Sequence, residues 1–406
     1  MEKYAAARNE KVRNFIPDDL AFSILSNLSL KPLKRFECVC KSWNLLFENP
    51  YFISLYQKKF LSNNQLYYDD KSLLIHQTMY DDDGKFILRS LSGERFEKMD
   101  KLNWPNPFKE DDPGFEICGS SSINGIFCLI CYSQPNIRVV LWNPATGEFK
   151  VVPNSPIEIV PYMNIDIIGH GFGYDCVGDD YKVIRRVLCS PKIDDYIMSS
   201  KDISYDPFWE TYNLKSNTWK KLEFNYPVNY EKDGVFLAGV FHWWGENIFF
   251  NINDDEEEEE AAYLLSFNLN TEVFTMTGLP LEDNTSDFEY MCRDLMVLNG
   301  SIALLSNYSN VETYPSNDNF YIYILGELGV KDSWFKLFTI QPLPCIDFPI
   351  GAGKKGDILF IKEDGKLAYF DLTTEMIEEL GFVGDTFRGK TIIYKEDLLP
   401  IGEINK

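Results

Sequence analysis

The fold is indicated by a segment that occurs twice, 281 residues apart: DGKFILRSLSGERFE at residues 83–97 and DGKLAYFDLTTEMIE at residues 364–378. Six of the fifteen positions are identical. In both copies a strand-like apolar run is followed by a polar turn and a second run, which is the pattern of a β-hairpin. The same hairpin near both ends of a long chain predicts a repeat architecture.

Four related hairpin units lie between these two copies. They are LWNPATGEFKVV from Leu141, TYNLKSNTWKKL from Thr211, SFNLNTEVFTMT from Ser266 and, with a longer turn, FYIYILGELGVKDSWFKLF from Phe320. In the five units with the shorter turn, a large apolar residue follows a turn-opening Leu or Pro by five positions: Leu91–Phe96, Pro144–Phe149, Leu214–Trp219, Leu269–Phe274 and Leu372–Ile377. Six units over 281 residues give about 56 residues per repeat, close to the ~50 of a kelch-type propeller blade.

A second hairpin precedes several of these units. Asn124-Gly125, Asp233-Gly234 and Asn299-Gly300 are dipeptides that favour tight hairpin turns. Two hairpins per repeat give the four strands of a propeller blade, so the sequence predicts a six-bladed β-propeller. The rival is a two-sheet sandwich, which explains the alternation of apolar residues but not the repeat period.

The first 60 residues follow a helical period instead. Pro17 opens a first predicted helix, Pro32 a second, and Trp43 a third that Asn49-Pro50 ends. The apolar residues of these predicted helices are Leu20, Ile24, Leu25 and Leu28, then Leu33, Phe36 and Cys40, then Trp43, Leu46 and Phe47. Three helices of about ten residues cannot enclose this much apolar surface, so we expect part of it to bind a partner.

Residues 16–56, IPDDLAFSILSNLSLKPLKRFECVCKSWNLLFENPYFISLY, resemble an F-box. The resemblance implies docking onto a Skp-type adaptor that joins a cullin-based ubiquitin ligase. Residues expected to bury against the adaptor, or to brace the helices that do, are Ile16, Pro17, Ile24, Leu25, Leu28, Leu33, Phe36, Val39, Cys40 and Trp43. We assign Leu25, Leu28, Phe36 and Cys40 to the interface itself and Trp43 to the interior. Lys34, Arg35 and Lys41 would form a basic rim suited to an acidic partner, or an ordinary solvated face.

The remainder resembles the F-box-associated domain of the large plant F-box families, of the S-locus and F-box/kelch types. The resemblance covers roughly residues 115–380 and rests on SSINGIFCLI, LWNPATGEF, YNLKSNTWKKL and GVFHWW. It implies a propeller that binds a target protein. Because propellers bind through loops on one face, we expect the target site among residues 154–170, 189–205, 251–262 and 306–319, where the spacing stretches or the composition turns polar.

Charge limits the partners. The net charge is −23; residues 1–60 hold ten Lys/Arg and six Asp/Glu, a net +4, which leaves −27 for the other 346 residues. Nucleic acid and anionic membrane surfaces are polyanions, so neither is expected as a partner. The acidic run DDEEEEE at residues 254–260 predicts a solvated loop and hints at a basic target. The nine scattered cysteines and a start without a signal-like apolar segment predict an intracellular protein, cytoplasmic and/or nuclear.

Motifs that could carry chemistry are few. Cys128 and Cys131 form a CxxC, but in the apolar run IFCLICY residues three apart point to opposite faces of a strand, which favours core over a metal or redox site. Cys38 and Cys40 lie on different sides of a regular helix. The segment GHGFGYD lacks a following Lys-Ser/Thr, so Gly171, Gly173 and Asp175 predict a turn and not a phosphate loop. His242 is expected to pack on a strand face, and no cofactor or metal is expected.

The sequence therefore predicts an α+β multidomain protein with a short three-helix F-box before an all-β propeller. The expected boundaries are an N-terminal tail 1–13, F-box helices 14–60, a linker 61–70, the propeller 71–395 and a C-terminal tail 396–406. The expected role is a non-catalytic substrate receptor of a Skp-cullin-F-box ubiquitin ligase, with an unknown target protein. The alternatives are an adaptor-binding interaction protein without a degradation role, and a propeller enzyme.

Overall fold

The computed structural model divides the chain into two compact units, Met1–Phe60 and Leu61–Lys406. The residues that the structure describes are 18–28, 30–37, 39, 41–45, 49–62, 71–80, 86–92, 98–109, 114–132, 137–159, 163–191, 207–224, 229–230, 234–246, 262–280, 290–309, 319–343, 346–353, 356–383, 389–398 and 401. None of the helices within these ranges is long and apolar enough to cross a bilayer.

Four helical segments occur in the described part of the N-terminal region: α1 Asp18–Leu25, α2 Leu30–Glu37, α3 Lys41–Asn44 and α4 Pro50–Ser62. The prediction of three helices is not confirmed, because α3 is a single turn and a thirteen-residue helix begins at Pro50, where the sequence predicted an end. Proline is tolerated in a first helical turn, where its missing N–H has no partner to lose. Asn49 caps this helix, since its Oδ1 accepts the Tyr51 N–H at 2.9 Å.

The described strands form six antiparallel sheets, which we number as blades in chain order. Blade 1 contains β1 Lys71–Tyr80, β2 Phe86–Ser92, β3 Lys98–Leu102 and the last strand, β25 Gly389–Lys395; blade 2 contains β4 Phe115–Ile117, β5 Phe127–Cys131, β6 Arg138–Trp142 and β7 Phe149–Val151; blade 3 contains β8 Met163–Asp175, β9 Asp180–Pro191, β10 Phe208–Asn213 and β11 Thr218–Leu222. Blade 4 contains β12 Asn229–Tyr230, β13 Val235–Leu237, β14 Val240–Glu246, β15 Ala262–Asn268 and β16 Val273–Gly278; blade 5 contains β17 Tyr290–Leu298, β18 Ser301–Ser309, β19 Phe320–Leu325 and β20 Trp334–Ile340; blade 6 contains β21 Ile346–Ala352, β22 Asp357–Lys362, β23 Lys366–Asp371 and β24 Met376–Val383. The predicted six-bladed propeller is confirmed, and the sandwich is excluded.

The six hairpin units read from the sequence are the outer hairpins of the six blades. They coincide with β2–β3, β6–β7, β10–β11, β15–β16, β19–β20 and β23–β24. Five of the turns place a residue at positive φ, namely Gly147, Asn217, Glu272, Gly329 and Glu375. In three of them the side chain of the residue before the turn-opening Leu or Pro accepts the backbone N–H two residues further along the chain. An example is Asn143, which accepts the Ala145 N–H at 3.0 Å. The repeat therefore encodes a turn geometry as well as a core pattern.

The inner hairpins match the prediction at two sites of three. Asn124-Gly125 and Asn299-Gly300 have both residues at positive φ, as a two-residue hairpin turn requires. Asp233-Gly234 is not the turn of blade 4: Asp233 lies outside the described residues, and Gly234 precedes strand β13. The turn there is Ala238-Gly239, with φ of 50° and 82°.

Gly171 and Gly173 are strand residues, so the predicted turn at these two positions is wrong. Both pair within β8 and β9, Gly171 opposite Ile184 and Gly173 opposite Lys182. A Cβ at Gly171 would lie 2.8 Å from the ring of Phe241, and one at Gly173 would lie 2.4 Å from Phe236. The glycines let blade 4 aromatics pack against the β8 backbone. Asp175 does open the turn, since its carboxylate accepts the Val177 and Gly178 N–H groups.

The core of the propeller lies in the seams between blades. One cluster joins blades 1 and 2 through residues such as Leu74 and Phe127, and another joins blades 3 and 4 through Ile184 and Phe267. Similar clusters fill the seams between blades 2 and 3, 4 and 5, and 6 and 1. Each blade is therefore buried by its neighbours, which is why the ring must close.

Candidate functional site

Two sets of residues are candidates for binding: the apolar residues of the helices and the loops at one end of the propeller. Within the helical unit, Leu25 and Leu33 are 1% and 0% exposed, and Phe52 and Tyr56 are also buried. Leu25, which the sequence assigned to the adaptor interface, is already covered within the chain, and its place at that interface stays a prediction. Leu25 and Leu33 fit the alternative role of bracing the helices.

Other apolar residues of the helical unit are exposed to solvent. They are Leu20, Ile24, Val39, Leu45 and Tyr51, at 53%, 55%, 60%, 59% and 69% exposure. Leu20 and Ile24 are four residues apart on α1, so they share one face of that helix. Large exposed apolar side chains concentrated in one small unit indicate a surface that binds another molecule.

The remaining predicted residues divide into two groups. Leu28, Phe36 and Trp43 are half-buried, and the Phe36 and Trp43 rings pack with centroids 5.3 Å apart. Ile16, Pro17 and Cys40 lie outside the described residues. Of the predicted basic rim, Arg35 and Lys41 are exposed. The predicted adaptor residues did not include the exposed Leu20, Leu45 and Tyr51, although their size and their positions in or beside the predicted helices were available signals.

The ranges predicted to bind a target all connect strands at the same end of the propeller. Neighbouring strands of a blade run in opposite directions. The connection between the two middle strands of a blade and the connection to the next blade therefore lie at the same end of the propeller. We call this the loop end and the opposite end the turn end. The predicted ranges fall between β7 and β8, β9 and β10, β14 and β15, and β18 and β19, which are all connections at the loop end. Residues 163–170, 189–191, 262 and 306–309 of those ranges belong to the strands themselves, and the acidic run 254–260 lies outside the described residues.

The CxxC residues are core residues, as predicted. Cys128 and Cys131 are both fully buried in β5. Cys128 packs in the seam between blades 2 and 3, and Cys131 in the seam between blades 1 and 2. They therefore face opposite sides of the sheet and cannot ligate one ion. In the part of the chain that the structure describes, no group of three or more His, Cys, Asp or Glu could hold a metal ion.

The three histidines are buried in three different blades. His242 packs inside blade 4 as predicted, with its Nδ1 2.8 Å from the Ser266 hydroxyl. Burial lowers the pKa of His242 to about 3, so the ring is neutral at physiological pH. His170 contributes its carbonyl oxygen to the Trp243 indole N–H at 2.8 Å. These contacts give His242 a packing role inside blade 4 and His170 one in the seam between blades 3 and 4.

A buried ion pair in blade 3 was not predicted. Arg185 Nε donates to Glu210 Oε1 at 2.7 Å, and the Ser155 hydroxyl donates to Glu210 Oε2 at 2.8 Å. The Arg185 guanidinium also lies 4.1 Å from the centroid of the Trp219 ring. Both carboxylate oxygens and the face of the cation are thus occupied, which makes the group structural. No local pattern signals a partner 25 residues away on the neighbouring strand.

The sequence models of two families match the chain. The model described as F-box associated beta propeller domain matches residues 41–396, and that of the F-box domain matches residues 15–55. The first spans more than half of the chain. Together they cover both units that the structure separates.

Related proteins come from Arabidopsis thaliana. The chain is 28% identical over 276 residues to "Putative F-box protein At3g16210", covering 66% of this chain and 61% of that protein. It is 26% identical over 388 residues to "F-box protein CPR1", covering 90% of this chain and 84% of that protein. The chain thus spans about three fifths of the first relative and most of the second.

Among solved structures, the chain is similar to TolB from Acinetobacter baumannii, with a TM-score of 0.44 and 8% identity over 84% of this chain and 72% of that one. No argument rests on a likeness of that size. The family matches carry the conclusion: this protein belongs to the F-box associated beta propeller domain family and has an F-box domain at residues 15–55.

Proposed function

We propose that this protein is the substrate-recognition subunit of a Skp-cullin-F-box ubiquitin ligase. The helical unit docks on a Skp-type adaptor and through it on a cullin, and the propeller binds a target protein. The chain itself is non-catalytic: it raises the effective concentration of target lysines near the ubiquitin-conjugating enzyme. This role places the protein in the cytoplasm and/or the nucleus, without a cofactor.

The observation that carries the proposal is the exposed apolar surface of the helical unit. Leu20 and Ile24 on α1, Val39 before α3, Leu45 after it and Tyr51 on α4 are each more than half exposed. Covering such side chains stabilises a complex by about 25 cal/mol for each Å² of apolar surface removed from water. Arg35 and Lys41 of the same unit are also exposed, and their positive charge favours an acidic partner and speeds association.

The test is the affinity for a purified Skp-type adaptor, measured by titration calorimetry on the full chain. We expect Ile24→Asp to weaken binding at least about 30-fold, the loss of about 2 kcal/mol that defines an interface hot spot. The matched control is Ser23→Asp, because Ser23 is also exposed on α1 and receives the same charge. Equal binding by the two variants, or no binding by the wild-type chain at micromolar concentration, would contradict the proposal.

Ubiquitin transfer separates a receptor from a simple adaptor-binding protein. We expect a target captured by the propeller to be ubiquitinated in a reconstituted reaction with adaptor, cullin and conjugating enzyme. The Ile24→Asp variant should still capture the target but should not support its ubiquitination, because only the helical surface is changed. Capture without ubiquitination by the wild-type chain would favour an interaction protein without a degradation role.

A further inference from the structure

The ring of blades is closed by its last strand. Strand β25 pairs with β1 in antiparallel register, from Lys71 opposite Lys395 to Gln77 opposite Gly389. Blade 1 thus combines three strands from the start of the propeller with one from its end. Opening the ring requires β25 to leave β1, so any contact that holds β25 also holds the ring.

The second edge of β25 is bound by blade 2. Ser121 and Ile393 form a parallel bridge. The Ser122 N–H donates to the Ile393 carbonyl at 2.8 Å, and the Ile393 N–H donates to the Ser120 carbonyl at 2.9 Å. The Lys395 N–H donates to the Ser122 hydroxyl at 3.1 Å. The closing strand is therefore hydrogen-bonded to its own blade on one edge and to the next blade on the other.

Contacts with blade 2 continue beyond the strand. The Asn143 side-chain amide donates to the Asp397 carbonyl at 2.9 Å, and Asn143 is fully buried. The Ile401 N–H donates to the Glu148 carboxylate at 3.1 Å. The Ile401 side chain packs against the cluster in the seam between blades 2 and 3. The residues after β25 therefore contact blade 2 at Asp397 and reach that seam at Ile401.

Gly125 shows how closely the segment is fitted. It has a φ of +76° in the inner turn of blade 2. A Cβ at this position would lie 2.7 Å from the Cβ of Asp397 and 2.9 Å from its backbone nitrogen. A side chain at Gly125 would therefore push the segment away from blade 2.

We propose that residues 396–398 and Ile401 form a clasp that holds the propeller closed. The clasp ties the C-terminal end of β25 to blade 2, so that blades 1 and 2 must both release it before the ring opens. Because the Asn143 and Glu148 contacts lie at the turn end of blade 2, the clasp acts at the end opposite the proposed target loops. Residues 396–398 and Ile401 belong to the stretch that the sequence assigned to a C-terminal tail.

The test compares two glycine substitutions by hydrogen–deuterium exchange of the full chain. Gly125→Ala places a methyl group against Asp397. Gly329→Ala is the matched control, because Gly329, in the outer turn of blade 5, has a similar φ of +80° and only an ordinary 3.5 Å contact with Thr275 at its Cβ position. Both variants carry the same backbone strain, and only the first displaces the clasp.

We expect the amides of β25 and β1 to exchange about tenfold faster in Gly125→Ala than in Gly329→Ala, because loss of the clasp makes local opening of β25 easier. The amides of β15, in blade 4, should exchange equally in the two variants. Equal exchange of β25 in both variants would overturn the proposal.

Asn143→Asp gives a second readout if Gly125→Ala fails to fold. The aspartate keeps the side-chain oxygen that accepts the Ala145 N–H, so the outer turn is retained, but it loses the donor to Asp397. Faster exchange in β25 with unchanged exchange in β15 supports the clasp. Exchange in β25 at the wild-type rate would overturn it.

Discussion

The two units of this protein differ in the share of their described apolar side chains that they bury. In the propeller, large residues such as Trp243, Phe267 and Phe360 are fully buried in or near the seams between blades. In the helical unit, Leu25 and Leu33 are buried while Ile24, next to one of them, is exposed. A closed ring supplies each blade with neighbours that cover it, whereas four short helical segments cannot cover themselves. The difference is the physical basis for the proposal that the helical unit is completed by another protein.

The largest effect should come from opening a seam. Phe267→Ala removes a fully buried ring between blades 3 and 4, and we expect the free energy of unfolding to fall by about 3–5 kcal/mol. Phe149→Ala is the matched control, because Phe149 is 46% exposed. Denaturant titration measures both. A similar loss for the two variants would break the distinction between seam and surface.

The buried ion pair should be nearly as sensitive. Glu210→Ala leaves the Arg185 guanidinium buried without its carboxylate, and we expect a loss of about 3 kcal/mol. Ser155→Ala removes only the hydroxyl that donates to Glu210 Oε2 and should reduce stability by about 1 kcal/mol. Thermal and urea denaturation distinguish these sizes. Equal losses would mean that the ion pair between Arg185 and Glu210 contributes no more to stability than the hydrogen bond from the Ser155 hydroxyl.

Acid should weaken the propeller through His242. Its pKa is about 3 in the folded protein because the ring is buried, and about 6.5 in the unfolded chain. Between these values only the unfolded state binds the proton, so this residue's contribution to stability is complete above pH 6.5 and is lost as pH falls towards 3. The slope is about 1.4 kcal/mol per pH unit. We expect His242→Asn to lose less stability than wild type between pH 7 and pH 5, measured by urea denaturation.

The smallest change in stability should occur on the helical surface. Ile24→Ser alters an exposed residue, and we expect the free energy of unfolding of the full chain to change by less than about 0.5 kcal/mol. Leu25→Ala, one position along the same helix, should destabilise the helical unit by about 2–5 kcal/mol. Hydrogen–deuterium exchange of the α1 amides measures the effect of both substitutions on the stability of the helix. A larger effect at Ile24 than at Leu25 would reverse the assignment of buried and exposed faces.

Much of the propeller was predictable because its repeat is local. A turn-opening Leu214 or Leu269 and an aromatic five positions later lie within one hairpin, so spacing reveals them. The Ala238-Gly239 turn was missed because an alanine at positive φ has no sequence signature, while Asp233-Gly234 nearby has a strong one. Gly171 and Gly173 were misplaced because their requirement comes from Phe241 and Phe236, more than 60 residues away.

The candidate adaptor site was predictable in composition but not in detail. The excess of apolar residues in residues 14–60 indicated a partner surface. Periodicity placed Ile24, Leu25 and Leu28 on one apolar face of a helix. It could not show that Leu25 is buried within the helical unit while Ile24 is exposed to solvent. That distinction depends on how α1 packs against the other helices, where Phe22 contacts Phe52 with ring centroids 5.5 Å apart.

The central claim is that the helical unit, not the propeller, is completed by a Skp-type adaptor. The most direct measurement is hydrogen–deuterium exchange of the full chain with and without purified adaptor. We predict slower exchange in α1 Asp18–Leu25, α3 Lys41–Asn44 and the start of α4 Pro50–Ser62, with the strands of blades 3 to 5 unchanged. Protection that appears in the blades and not in the helices would contradict the account.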